Sequence, residues 1–195
     1  MTFRLGLTGS IGMGKSTAAG LFRAEGIDVW DADAAVHRMY GPGGQAVDAI
    51  FALCPQAIER GAVSRETLKH EIAARPDLLP QIEQIIHPLV ASDRQMFLND
   101  SLADIVVFDI PLLFEKGTET EMDATLLVTA PAALQRTRVL SRPGMTEQTF
   151  QIIMSRQMPD AEKRRRATHI VETLALDQTH AYIRALIAYI RMHHA

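Results

Sequence analysis

Residues 3–8 read FRLGLT and residues 9–16 read GSIGMGKS. That succession constrains the fold more than any other feature of the chain. Gly9, Ser10, Ile11, Gly12, Met13, Gly14, Lys15 and Ser16 fill every fixed position of the pattern G-x-x-x-x-G-K-[ST]. Glycines let a backbone wrap a polyphosphate with its N–H groups turned inward. A helix that opens at the lysine adds the partial positive charge of its N-terminus. The lysine then reaches the β- and γ-phosphates, and the serine hydroxyl becomes a ligand for Mg²⁺. The flanks agree with this reading. The run at 3–8 predicts a buried strand, and residues 15–25 carry Ala18, Leu21 and Phe22 on one helical stripe before the stop at Gly26. The segment from Gly9 to Thr17 is therefore the expected phosphate site of a nucleotide.

Further strands are predicted at 27–30, 105–109 (IVVFD), 124–129 (ATLLVT) and 168–172. Helical patterns separate them. One covers 34–40, one begins after Pro131, one runs from the cap at Thr146 to residue 158, one opens at Pro159, and the last is capped by Asp177. Between the second and third strands, residues 45–99 contain no convincing strand. They read as short helices punctuated by Pro55, Gly61, Pro76, Pro80 and Pro88, with His87-Pro88 ending one helix and starting another. Strands alternating with helices predict an α/β fold with a mostly parallel five-stranded sheet, covered on both faces and interrupted by a helical insertion.

Composition removes whole classes. The 195 residues suit one domain carrying an insertion, and the single cysteine, Cys54, excludes an internal disulfide framework or a multi-cysteine metal site. A net charge of −3 argues against nucleic-acid or membrane-surface binding. No stretch approaches the ~20 apolar residues of a membrane helix, and the first residues lack the apolar run of a secretory signal. A cytoplasmic location is the expectation. Charge is nevertheless uneven. Residues 136–166 hold seven arginines and Lys163 against Glu147, Asp160 and Glu162. Such a run forms either a solvated helical face or a mobile arm that folds onto an anion, since arginine offers a planar fork of donors to phosphate oxygens.

A phosphate loop specifies a nucleotide and leaves the reaction open. The guanine-reading motif N-K-x-D is absent, because the one asparagine, Asn99, precedes Asp100. A small kinase is the natural remainder, with a nucleotide-dependent binding switch as the reading from another class. Asp31 and Asp33 close the second predicted strand, where an α/β sheet places its ligands. Phosphoryl transfer to an alcohol needs a group to orient the hydroxyl and take its proton. Asp33 is the first choice and Asp31 the alternate, and either also serves as a helix cap. Asp109 ends IVVFD in the usual form of a second acidic residue that holds Mg²⁺. Core packing accounts for Leu112 and Leu113 just past it, whereas the polarity of Glu115 needs another explanation. His87 read alone is structural.

GLTGSIGMGKST at 6–17, DAD at 31–33, IIHPLV at 85–90, DIPLLFE at 109–115 and RQMPDAEKR at 156–164 occur in that order. Together they resemble the dephospho-CoA kinase family over nearly the whole chain. The resemblance implies a phosphate-loop kinase fold. Its nucleotide-binding core would be residues 1–33, 100–134 and 159–195, its helical acceptor domain 34–99, and its lid 135–158. It implies transfer of the γ-phosphoryl group of ATP, with Mg²⁺, to the 3′-hydroxyl of dephospho-CoA. A kinase for another small alcohol or nucleoside monophosphate is the close rival. In family terms Asp33 matches the base, Lys15 and Ser16 the phosphate loop, and Arg142 the lid arginine on the phosphates, with Arg138 as its alternate. His87, Leu113 and Glu115 fall in motifs on the acceptor side. The expected partners are these two small molecules, with no nucleic acid and no membrane, and the expected state is a monomer with a homo-oligomer left open. The chain departs from the family where Pro143 follows Arg142, and where Thr168, Thr173 and Ala175 replace the usual Asp, Asn and Gly.

Overall fold

β1 (Phe3–Thr8) leads through the glycine loop into α1 (Lys15–Ala24) and β2 (Asp28–Asp31) in the computed structural model, which describes residues 2–194. Then come α2 (Ala32–Tyr40), α3 (Val47–Leu53), the short β3 (Ile58–Glu59) and β4 (Ala62–Val63), α4 (Arg65–Ala74) and the long α5 (Leu78–Asp100). β5 (Ile105–Asp109) and β6 (Ala124–Thr129) return to the sheet. They are followed by α6 (Ala132–Leu140), α7 (Glu147–Ser155), α8 (Asp160–Arg166), β7 (His169–Glu172) and α9 (Leu176–His194). Two compact units result: one runs up to Trp30 and resumes at Ser101, and the other is Asp31–Asp100.

The first unit is built on a five-stranded parallel sheet in the order β2-β5-β1-β6-β7. β1 lies in the middle, parallel to β5 on one edge and β6 on the other. One face carries Leu5, Leu7, Ile105, Val107, Leu126 and Val128 against Ala18, Ala19 and Phe22 of α1 and Ile183, Leu186, Ile187 and Ile190 of α9. The alternate residues Val106, Phe108 and Leu127 are buried as well. Burial on both faces explains why residues 105–108 of β5 and 126–128 of β6 are unbroken apolar runs rather than alternating ones. The register sets Leu7 opposite Asp109. The end of β5 therefore stands level with the end of β1, two residues before the glycine loop.

α9 begins at Leu176, so Asp177 sits in its first turn instead of capping it, where its carboxylate still meets the positive helix end. Thr146 caps α7 as expected, its hydroxyl accepting from the Thr149 N–H at 3.1 Å, but the helix stops at Ser155 rather than residue 158.

The second unit departs twice from the sequence reading. A hairpin stands where no strand was expected: Ile58 pairs with Val63 and Glu59 with Ala62, antiparallel. Its turn is Arg60-Gly61, with φ of 52° and 78°. Two successive positive φ values are the demand of the tight primed turns, usually advertised by Asn-Gly, and arginine in the first place hides the signal. The second departure is α5, which passes through Pro88 without a break for 23 residues. Proline removes one helix hydrogen bond and crowds the carbonyl four residues back. Against that cost, Leu78, Ile82 and Ile86 are buried along the helix, and Asp93 one turn beyond holds Arg38 of α2 at 2.8 Å. Tertiary packing here overrides local propensity.

Replacing Pro88 by alanine is expected to stabilise the protein by about 1–2 kcal/mol. Alanine is about 3 kcal/mol better inside a helix, reduced by the chain stiffness that proline lends the unfolded state. A higher midpoint of thermal unfolding in Pro88→Ala checks this, and a lower one would mean that the proline geometry is required.

Candidate nucleotide site

α1 opens on Gly14, whose φ of 90° is a left-handed conformation that side chains resist. No side chain caps this helix, and its first turn contains no acidic residue. The N–H groups that every helix start leaves unpaired are thus offered without a protein anion to fill them. Ser16 and Thr17 lie exposed in that turn. The loop before it is tightly packed. A Cβ on Gly12 would come within 2.5 Å of Val139 Cγ2 and 3.0 Å of the Gln135 carbonyl, so α6 leaves room for glycine alone. The Met13 N–H closes a turn on the Ser10 carbonyl at 3.1 Å. The Ser10 hydroxyl is buried and has no hydrogen-bond partner among the described residues. A buried donor in that condition is costly unless a ligand completes it.

Lys15 reaches across to the end of β5, its Nζ 2.5 Å from Asp109 Oδ1. Asp109 is almost wholly buried and Lys15 nearly so, with side chains 3% and 15% exposed. The pair follows from the strand register, which places the β5 carboxylate beside the helix that starts after β1. A hard carboxylate oxygen at the end of β5 and a serine hydroxyl in the first turn of α1 are the kinds of donor that suit Mg²⁺ held together with phosphate oxygens.

The Arg138 guanidinium is bound to Thr173, Nη1 donating to the hydroxyl at 2.9 Å and Nη2 to the carbonyl at 2.6 Å. Arg142 is exposed just beyond α6. Leu113 is fully buried and lies against Gly6, as a core residue does. Glu115 Oε1 accepts the Met158 N–H at 2.8 Å and pairs with Lys163 Nζ at 2.9 Å. Lys163 is completely buried, although it sits in the basic run. Apolar burial accounts for Leu113, and a buried cation accounts for the polarity of Glu115. Asp33 and His87 belong to the other unit, both exposed, on the first turn of α2 and midway along α5. Asp31 is the helix cap, its Oδ1 accepting from the Ala34 N–H at 2.9 Å. The two readings of the D-A-D pair thereby separate: Asp31 caps, and Asp33 carries its carboxylate on the surface.

Three residues at the loop were given no role by the motif reading. Gln135 donates to the Ile11 carbonyl at 2.8 Å, and Gln157 accepts from the Ile11 N–H at 3.1 Å. The Thr173 hydroxyl lies 2.8 Å from the Met13 carbonyl, so the residue that replaces the family's asparagine braces the loop and holds Arg138 at once. Gln157 stands inside the RQMP motif, the one place where the sequence pointed to it.

The model of the dephospho-CoA kinase family matches residues 3–176. The chain belongs to the dephospho-CoA kinase family. A dephospho-CoA kinase of Cereibacter sphaeroides is 64% identical over 189 residues, covering 97% of this chain and 96% of its own. Among solved structures, the Thermus thermophilus protein TT1252 is 34% identical with a TM-score of 0.86, covering all of this chain and 99% of its own. The dephospho-CoA kinase of Campylobacter jejuni has a TM-score of 0.72 at 20% identity, over 97% of this chain and 98% of its own, a likeness of fold. Among the described residues no helix is long and apolar enough to cross a membrane.

In this family setting the Lys15–Asp109 pair has a measurable consequence. Asp109→Asn removes the anion that competes with phosphate for Lys15. ATP without divalent cation is expected to bind about tenfold more tightly, the scale of one charge-assisted hydrogen bond, while the gain in ATP affinity on adding Mg²⁺ shrinks. Titration calorimetry with and without Mg²⁺ checks both. Unchanged metal-free affinity would mean that the pair does not restrain Lys15.

Proposed function

We infer that the chain transfers the γ-phosphoryl group of ATP to the 3′-hydroxyl of the ribose of dephospho-CoA, giving coenzyme A and ADP. The observation that carries the reading is the uncapped start of α1 with Lys15 beside the β5 carboxylate, in a chain of the dephospho-CoA kinase family. Loop N–H groups and the α1 N-terminus would hold the β- and γ-phosphates. Lys15 would leave Asp109 for the phosphate oxygens. Ser16 and Asp109 would then hold Mg²⁺, which supplies charge neutralisation on the transferring group.

The step forms a bond between the acceptor O3′ and Pγ and breaks the bond from Pγ to the β–γ bridging oxygen, whose electron pair leaves with ADP. The hydroxyl proton goes to the Asp33 carboxylate, which also orients O3′. Arg142 would meet the phosphates when residues 135–158 close as a lid, so its contacts would strengthen in the transition state. Arg138 is its alternate, and its present bonds to Thr173 supply a resting position. Residues 34–99 would hold the acceptor, with His87 facing it. The reading carries a cytoplasmic location with it.

Incubation with MgATP and dephospho-CoA, followed by mass detection of coenzyme A, tests the reaction, and hydrolysis of ATP without acceptor phosphorylation would overturn it. Asp33→Asn tests the base. Asp31 supplies the cap, so this change leaves helix α2 intact. Dephospho-CoA should still bind, while turnover falls by ~10²–10⁴, the range for a positioned acid–base group. Turnover within a few-fold of the parent, with an unchanged thermal melt, would remove Asp33 from the chemistry.

A further inference from the structure

The peptide groups on both sides of Ile11 are held by side chains from far along the chain. Gln157 Oε1 accepts the Ile11 N–H at 3.1 Å, and Gln135 Nε2 donates to the Ile11 carbonyl at 2.8 Å. The partners are separated by 146 and 124 residues. Gln135 is only 4% exposed, and its amide also lies 3.4 Å from Met154 Sδ of α7. The two glutamines stand near the opposite ends of segment 135–158, one in α6 and one after α7.

A peptide unit is planar and trans, so its carbonyl and the following N–H point to opposite sides. Holding the Ile11 carbonyl therefore directs the Gly12 N–H away from Gln135. Holding the Ile11 N–H fixes the plane that also contains the Ser10 carbonyl, which accepts from Met13 N–H at 3.1 Å. Both planes are thus set from outside the loop. We propose that Gln135 and Gln157 are positioning residues that orient the Ile11 peptide groups so that the loop N–H groups face the nucleotide phosphates. The proposal rests on the kinase reading. A displacement of either end of segment 135–158 would reach the phosphate loop through these two amides, and α6 lies so close to Gly12 that a Cβ there would meet Val139.

The roles differ in chemistry, and that difference supplies the test. Gln157 uses its amide oxygen, which glutamate retains. Gln135 uses its NH₂ group, which glutamate lacks. Gln→Glu adds a charge that costs more at the buried Gln135 than at the half-buried Gln157, so the uncharged methionine variants carry the test at 135 and the comparison of Glu with Met carries it at 157. Affinity for MgATP and for dephospho-CoA is measured separately by calorimetry on Gln157→Glu, Gln157→Met, Gln135→Glu and Gln135→Met, with a thermal melt for each. The expected result is about three- to tenfold weaker ATP binding, the scale of one lost hydrogen bond, in Gln157→Met and both Gln135 variants. Gln157→Glu should stay close to the parent, and dephospho-CoA affinity should be unchanged throughout.

The proposal is overturned if Gln157→Glu is as weak as Gln157→Met, if both methionine variants keep the parent's ATP affinity, or if both ligands weaken together. Should the buried Gln135 site not tolerate substitution, the Gln157 pair decides alone. A parent that binds ATP but does not phosphorylate dephospho-CoA would defeat the acceptor reading and leave this comparison of ATP affinities standing.

Discussion

β1 is buried on both faces and paired on both edges, and most of the site follows from that. A central parallel strand has no hairpin to turn into, so the chain leaves the sheet at its C-terminal end and must cross a face to return. The crossing here is the glycine loop and α1. Because β5 pairs with β1 in register, Asp109 arrives at the same level as Leu7, and a lysine opening α1 lies within reach of it. The uncapped helix start and the carboxylate are therefore brought together by one strand pairing.

Buried charge secures the flank of this arrangement. Lys163 is completely buried, and its Nζ lies 2.9 Å from Glu115. Isolating a cation this way is costly, and one partner alone would be strongly destabilising. The pair links the segment after β5 to α8, two stretches of chain that read separately as family motifs. The same logic holds at Thr173, where one hydroxyl meets both Met13 and Arg138. In each case a polar group has been withdrawn from water and given partners distant in sequence, which makes the geometry of the loop depend on the whole unit.

Local rules failed where packing outweighed them. Arg60 accepts a positive φ because the hairpin pairs on both sides of it, and α5 accepts Pro88 because Leu78, Ile82 and Ile86 are buried before it and Asp93 holds Arg38 after it. Asp31 and Asp33 show the reverse. Their spacing alone left two roles unassigned, and the helix start resolved one of them by giving the cap to Asp31.

The sequence by itself determined the phosphate loop, the five strands of the sheet and the family, because those depend on short-range order: glycines at fixed spacing, a lysine at a helix start, apolar runs long enough to bury on both faces. It also singled out Asp109, Lys15 and Asp33 by position at strand or helix ends. Only the tertiary structure decided what Leu113, Glu115, Lys163, Gln135, Gln157 and Thr173 do. Their partners lie far away in the chain, and a glutamine or a threonine has the same local pattern whether it faces water or clasps a backbone carbonyl. Hydrogen bonds and ion pairs between distant segments form only after the strands have chosen their neighbours, so no local reading reaches them.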